Sequence, residues 1–188
     1  MTLLQVMTDD GEVELRTEDP AQIGDALRPL GVEFERWDLR PLPAAAGTQD
    51  VLDVYADDIE PLCKEREFKL VDVVALRPDP DDPGWAERAA AARSKFLDEH
   101  SHDEDEVRFF VEGRGCFYLH VGDRVYAVVC EGGDLLSVPR GTTHWFDMGT
   151  RPHFTAVRFF QEEDGWVGNF TGDKVSARFP TFDELVSA

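Results

Sequence analysis

Three histidines and one glutamate carry the densest chemistry in the chain. His100-Ser101-His102 is followed by Asp103-Glu104-Asp105 and then Glu106, and a third imidazole, His144, closes the run Pro139-Arg140-Gly141-Thr142-Thr143. Three imidazoles and one carboxylate are a donor set for a divalent first-row metal such as iron, nickel or manganese, with six-coordination leaving two positions open. A lone histidine is more often a packed or surface imidazole. Here that reading must cover four coincidences together: His-x-His, the glutamate four residues after the second histidine, Gly113 seven residues beyond it, and Gly-x5-Pro-x-Gly-x2-His from Gly133 to His144.

The spacing gives these residues a common face. His100, His102, Glu106, Arg108 and Phe110 share one parity, so on extended backbone their side chains point to the same side of a sheet. His144, Phe146 and Met148 repeat the pattern on a second segment, reached through Gly133, Pro139 and Gly141, which fit tight turns. The site would thus be closed from two strands distant in sequence. Ligand histidines must be neutral, with an acceptor for the other ring nitrogen, and Asp103, Glu104, Asp105 and Asp147 are placed to supply it. His120 and His153 lack the spacing and are read as structural.

The elements that position these residues follow from local signals. Leu3 to Met7 and Glu12 to Arg16 flank the turn Thr8-Asp9-Asp10-Gly11, which predicts an N-terminal hairpin. Asp19-Pro20 reads as a helix cap with proline at the first helical position; Ile23, Leu27 and Leu30 follow at helical spacing and Gly31 stops the helix. A strand over Val32 to Leu39 and a linker over Pro41 to Gly47 come next. Leu52, Tyr55, Ile59 and Leu62 lay one apolar stripe on a helix from about Gln49 to Glu65, which Pro61 weakens near its end. Phe68 to Leu76 alternates and is valine-rich, hence a strand; Arg77 to Gly84 is a loop; Ala86 to Leu97 is alanine-rich and helical. Phe96 and Leu97 would anchor that helix and present His100 at a rim, with a mobile lid as the alternative role.

From Val107 on, short strands are predicted at Val107 to Val111, Cys116 to Val121, Val125 to Cys130, Leu135 to Val138, His144 to Met148 and Phe154 to Phe160. Gly113, Gly115, Gly122, Gly132-Gly133 and Gly141 punctuate them at the close intervals of a sandwich or barrel, a jelly-roll pattern. The tail carries Trp166, Phe170, Phe179 and Phe182, enough aromatic area to dock back on the barrel. The expected fold is mainly β, a jelly-roll barrel with a few peripheral α-helices, in one domain spanning residues 1–188 whose metal-site core covers about 95–160.

Charge narrows the partners. With 39 acidic and 19 basic residues the formal net charge is −20, which repels phosphate backbones and anionic membranes. No nucleic-acid or membrane partner is expected. An enzyme this negative that handles an anion must concentrate positive charge in its pocket, and Arg108 and Arg158 are the candidates. Three cysteines, Cys63, Cys116 and Cys130, form no Cys-x-x-Cys pair, which suits a reducing cytosol. A cytoplasmic, monomeric protein is expected, since no basic leader, long apolar run or exposed apolar stripe is evident.

The two-part pattern resembles the cupin superfamily, with one departure: Met148 stands where the general second motif often has asparagine. More closely, Lys95 to Phe110, together with Val138 to Gly149, resembles the acireductone dioxygenases. Gly165 to Asp173 and Gly31 to Trp37 are similar to the same family near the two ends, so the likeness covers most of the chain. It implies a cupin barrel and Fe(2+) or Ni(2+), one per monomer, held by His100, His102, Glu106 and His144. The implied substrates are a small-molecule acireductone, dihydroxy-keto-methylthiopentene, and O2. Iron would give methylthio-oxobutanoate and formate, the methionine-salvage products; nickel would give methylthiopropanoate, formate and carbon monoxide. By motif position the resemblance gives Arg108 the stabilisation of a substrate dianion. It gives Glu99 and Asp105 assistance with metal incorporation and transmission of local conformational change, and Phe109, Phe146, Arg158 and Trp166 the pocket wall. Metal-binding cupins also include isomerases, decarboxylases and non-catalytic binders of small ligands, and the ligand set alone does not separate these.

Overall fold

A computed structural model describes residues 1–43, 46–79, 81–162 and 166–187. The remaining parts of the expected linker (44–45), of the Arg77 to Gly84 loop (Pro80) and of the motif beginning at Gly165 lie outside the described residues. The chain runs β1 (Leu3–Thr8), β2 (Val13–Thr17), α1 (Pro20–Leu27), β3 (Glu33–Arg36), α2 (Thr48–Val54), α3 (Ala56–Arg66), β4 (Leu70–Leu76) and α4 (Trp85–Leu97). It continues through β5 (His100–Ser101), β6 (Glu106–Val121), β7 (Arg124–Glu131), β8 (Asp134–Val138), β9 (Thr143–Asp147), β10 (Phe154–Phe160), β11 (Asn169–Phe170) and α5 (Phe182–Ser187). The fold is the expected one, mainly β with peripheral helices. Among the described residues no helix is long and apolar enough to cross a membrane.

β6 organises the barrel. Its first half pairs antiparallel with β8 and β10, its second half with β7 and β9. One sheet follows the order β11-β5-β9-β6-β7-β1-β2; in the other, β3-β8-β6-β10-β4 are neighbours. The sequence reading split this strand at Gly113 and Gly115, and the structure corrects it. Gly113 does not end the strand but turns it from one sheet to the other at φ +72°, and an added Cβ would sit 1.8 Å from the His153 carbonyl oxygen. Only glycine fits that crossing.

Alternation within each half of β6 sorts its side chains into layers, the crossing at Gly113 shifting the parity between the halves. Phe110 and Phe117 point inside, packing with Leu4, Leu119, Val128, Leu136, Phe146 and Phe154, and α1 adds Ile23 and Leu27. Val107, Phe109 and Val111 point to the other face, which α2 and α3 cover with Val51, Tyr55 and Ile59. Cys116, Tyr118 and Trp145 face outward on the first sheet, where the C-terminal Val175, Phe179, Phe182 and Leu185 pack over them. Both faces of the central strand β6 are therefore covered by apolar side chains, and the tail docks on the barrel.

Two further differences have local causes. The helix expected from Gln49 to Glu65 is broken at Tyr55 (φ −104°, ψ 13°), whose fully buried ring meets Phe109 edge-on at 4.9 Å. Pro61 does not break α3, because the carbonyl it leaves unpaired, that of Asp57, belongs to an exposed residue. At the other helix the sequence signals hold: the Asp19 side chain accepts from the Ala21 N–H, Pro20 opens α1, and Gly31 closes the following turn at φ +73°.

Candidate metal centre

β5, β6 and β9 bring the four residues together. His100 lies opposite His144 in the β5/β9 ladder, with Phe170 of β11 on its other side. His102 follows β5 directly, and a bend at Asp103 and Glu104 separates it from Glu106, the first residue of β6. Parity on one strand thus explains Glu106, Arg108 and Phe110, but His100 arrives on a separate short strand and His102 just after it. All four are 2–5% exposed, and one donor atom from each lies within 4.8 Å of all the others.

The three imidazoles are oriented by backbone carbonyls. His100 Nδ1 lies 2.7 Å from Asp98 O, His102 Nδ1 2.8 Å from Val167 O and His144 Nδ1 2.8 Å from Thr142 O. A carbonyl only accepts, so each Nδ1 carries the proton and each Nε2 keeps its lone pair. The Nε2 atoms of His102 and His144 then face Glu106 Oε2 at 3.1 and 2.9 Å. Two acceptors face each other there unless a cation, a proton or a metal ion, lies between them. About 3 Å is also the spacing of adjacent donors around an ion with bonds of about 2.1 Å. The residues fit a divalent metal.

Electrostatics of the group are set by burial and by Arg108. Burial pushes the Glu106 carboxyl up, but the charge of Arg108 and the adjacent imidazoles of His102 and His144 outweigh it and hold the group well below the usual carboxylate range. Burial pulls His100 down, toward the neutral form that a metal needs. At His102 burial acts the same way, yet Glu106 beside it raises it on balance, so a proton competes with a metal there.

Arg108 stands inside the barrel, 4% exposed. Its Nη2 is 2.7 Å from Glu106 Oε1, its Nε has no partner, and its guanidinium lies 4.6, 5.0 and 5.2 Å from the Phe146, Trp166 and Phe117 ring centres. Gly115 makes room for Phe146: a Cβ there would be 2.4 Å from its Cζ. Trp166 stacks on His102 at 5.9 Å and donates from Nε1 to the Asp105 carbonyl.

Other expected site residues fall elsewhere. Phe109 points to the outer face, 4.7 Å from Trp37, and the structure does not bring it to the cluster. Arg158 lies opposite Arg108 in the β6/β10 ladder, 5.7 Å from Trp166, but its fork is occupied by Asp72 at 2.8 and 2.6 Å. The Glu99 carboxylate turns away to His120 Nδ1 (2.5 Å) and the Thr171 hydroxyl (2.9 Å). Asp105 Oδ1 accepts from the Arg140 N–H. None of the four acids considered as partners of the ligand histidines serves there: Asp103 binds Asn169, Glu104 the N–H groups of Gln161 and Glu162, and Asp147 binds Arg93. His153 is exposed beside Glu112, and His120 bridges Glu99 and Asp9. Sequence reasoning missed Phe117, because the crossing at Gly113 shifts the alternation and brings odd-numbered Phe117 and Leu119 to the inner face with Phe110, and it missed the three carbonyls, for which no side-chain signal exists.

Comparison with known proteins fits this geometry. The chain is 60% identical over 188 residues to "Acireductone dioxygenase 1" of Nocardia farcinica, covering 99% of this chain and all of that one. It is 53% identical over 190 residues to an acireductone dioxygenase of Saccharopolyspora erythraea, covering both in full. A solved structure titled acireductone dioxygenase from Bacillus anthracis with cadmium ion in active center superposes with a TM-score of 0.73 at 26% identity, covering 90% of this chain and 99% of that one. Residues 48–168, which include the whole cluster, match the model of the ARD/ARD' family, and with relatives so similar over full length the chain belongs to that family.

Proposed function

We propose that this chain is a metal-dependent dioxygenase that cleaves an acireductone with O2. The observation that carries the reading is Arg108: a buried guanidinium, clasped by three aromatic rings beside the donor cluster, whose Nε–H has no partner. A buried donor without an acceptor is costly, about 1–3 kcal/mol, and an anionic substrate would relieve it. Family membership and the names of the relatives support an acireductone as that anion.

In this reading His100, His102, Glu106 and His144 hold one Fe(2+) or Ni(2+). The bound ion supplies Lewis-acid polarisation and a template for two substrate oxygens. Arg108 stabilises the enediolate charge by preorganised, charge-assisted hydrogen bonds, and burial strengthens them by excluding water. Its pairing with Glu106 keeps it pointed at the cluster. Phe146, Phe117 and Trp166 fix the guanidinium plane and keep the space around it apolar. Arg158, held by Asp72, adds a second positive edge near Trp166. Glu99 and Asp105 act on the backbone around His100 and Glu106 rather than on substrate; Phe109 serves the core.

The finer picture is a monomeric, cytoplasmic, single-domain enzyme of methionine salvage. Iron-loaded protein gives methylthio-oxobutanoate and formate, and nickel-loaded protein gives methylthiopropanoate, formate and carbon monoxide. Apo-protein reloaded with each ion and supplied with the acireductone, with products followed by headspace gas analysis and chromatography, tests this. Identical products from two fully loaded forms would overturn the metal-controlled outcome.

A further inference from the structure

The segment from Trp166 to Thr171 crosses the cluster with two chemically different ends. At one end Trp166 stands over His102 and the guanidinium of Arg108. At the other, Phe170 pairs with His100 in the β11/β5 ladder and lies 5.2 Å from its ring. Among the described residues, three rings other than histidine lie against the donor imidazoles: Phe96 at 6.4 Å, Trp166 at 5.9 Å and Phe170. Phe170 is the exposed one of these, at 56%, and Val167 on the same segment is 67% exposed. Most apolar side chains of this size in the molecule are covered. Gly168 leaves room for the ring: a Cβ there would come within 3.1 Å of Cε2.

We propose that Phe170, with Val167 beside it, is the surface on which the apolar chain of the substrate lies, making Phe170 a specificity-determining residue. This rests on the function proposed above. The charged enediolate is drawn to Arg108, at the Trp166 end of the segment. A chain leaving that head group away from the guanidinium reaches the His100 end, where Phe170 offers uncovered apolar area beside the metal site. The thioether tail covers the ring, and both lose contact with water. The ring touches His100 through its edge of the ladder and makes no polar bond, so its contribution is to the tail and not to the head.

Anaerobic binding separates these roles, because without O2 the substrate binds and does not turn over. Dissociation constants are measured by calorimetry on metal-loaded protein for two acireductones, one with the methylthioethyl chain and one with the chain cut to a methyl group. Wild type, Phe170→Thr and Phe170→Leu are compared after metal content and melting temperature are verified; threonine keeps strand propensity and leucine keeps an apolar surface. Wild type should prefer the long-chain compound by about tenfold or more, since each methylene in an apolar contact is worth about tenfold. Phe170→Thr should reduce that preference to about threefold or less, and Phe170→Leu should keep most of it. An unchanged preference in folded, metal-loaded Phe170→Thr overturns the inference, including the case where both compounds weaken equally because the ring merely props His100. If wild type binds neither compound, the proposed function itself fails, a result distinct from loss of selectivity.

Discussion

His102 takes its orientation from a carbonyl 65 residues away, that of Val167, at 2.8 Å from its Nδ1. The donors of the other two histidines reach carbonyls only two residues back. The cluster is therefore completed only when the segment carrying Trp166 and Val167 lies across it.

Replacing His100, His102 or His144 by alanine should lower metal content and activity together and leave a β-rich fold, because the three apolar clusters of the barrel form without the site. Elemental analysis and circular dichroism check this. Full metal occupancy in two of the three variants would contradict the ligand assignment.

Arg108→Ala should keep its metal and lose turnover about a hundredfold, the scale for removing a preorganised charge partner. Lysine should restore part of the rate, since it brings charge without the planar fork that fits among Phe117, Phe146 and Trp166. Normal turnover in a metal-loaded alanine variant would make Arg108 structural.

Gly115→Ala tests the ring beneath that guanidinium. Its Cβ would fall 2.4 Å from Phe146 Cζ, so the ring must shift, at about 1–3 kcal/mol of overpacking. A lower melting temperature and a reduced kcat at unchanged metal content are expected. An unaltered kcat would show that the position of Phe146 does not matter to Arg108.

Asp147 supplies a pH dependence away from the donor atoms. Its side chain is 2% exposed; burial pushes its carboxyl up, but Arg93 at 2.7 Å and the N–H groups of Phe182 and Gly149 outweigh it and hold it below the usual range. A depressed carboxyl contributes stability above its unfolded pKa, about 4, and that contribution is lost as pH falls through the folded value. Asp147→Asn should cost about 3 kcal/mol at neutral pH and flatten the acid limb of the melting profile below about pH 4. A variant whose acid limb matches wild type would remove Asp147 from that transition.

Much of this was legible in the residues because the signals are local. The hairpin turn, the Asp19-Pro20 cap, the glycine stop and the two-part histidine pattern each depend on neighbours in sequence, and each is where expected. What was not legible depends on tertiary context. Gly113 and Gly115 look like strand breaks, yet one is a crossing between sheets and the other is space for Phe146. Asp147 looked like a partner for a ligand histidine, but Arg93 of α4 takes it. The true partners are carbonyls, which every residue has, so sequence could not single out Asp98, Thr142 or Val167. Phe109 is assigned to the pocket wall only by the family resemblance, and strand parity sends it to the opposite face.

Oxygen uptake is the most direct measurement of the central claim. Apo-protein, iron-loaded protein and His144→Ala treated with iron in the same way are mixed with the acireductone in a closed oxygen-electrode cell, and formate is quantified in the same sample. The expected result is one formate per O2 consumed with the loaded protein, and only the uncatalysed background with the other two. Background uptake from fully loaded, folded protein would contradict a dioxygenase at His100, His102, Glu106 and His144.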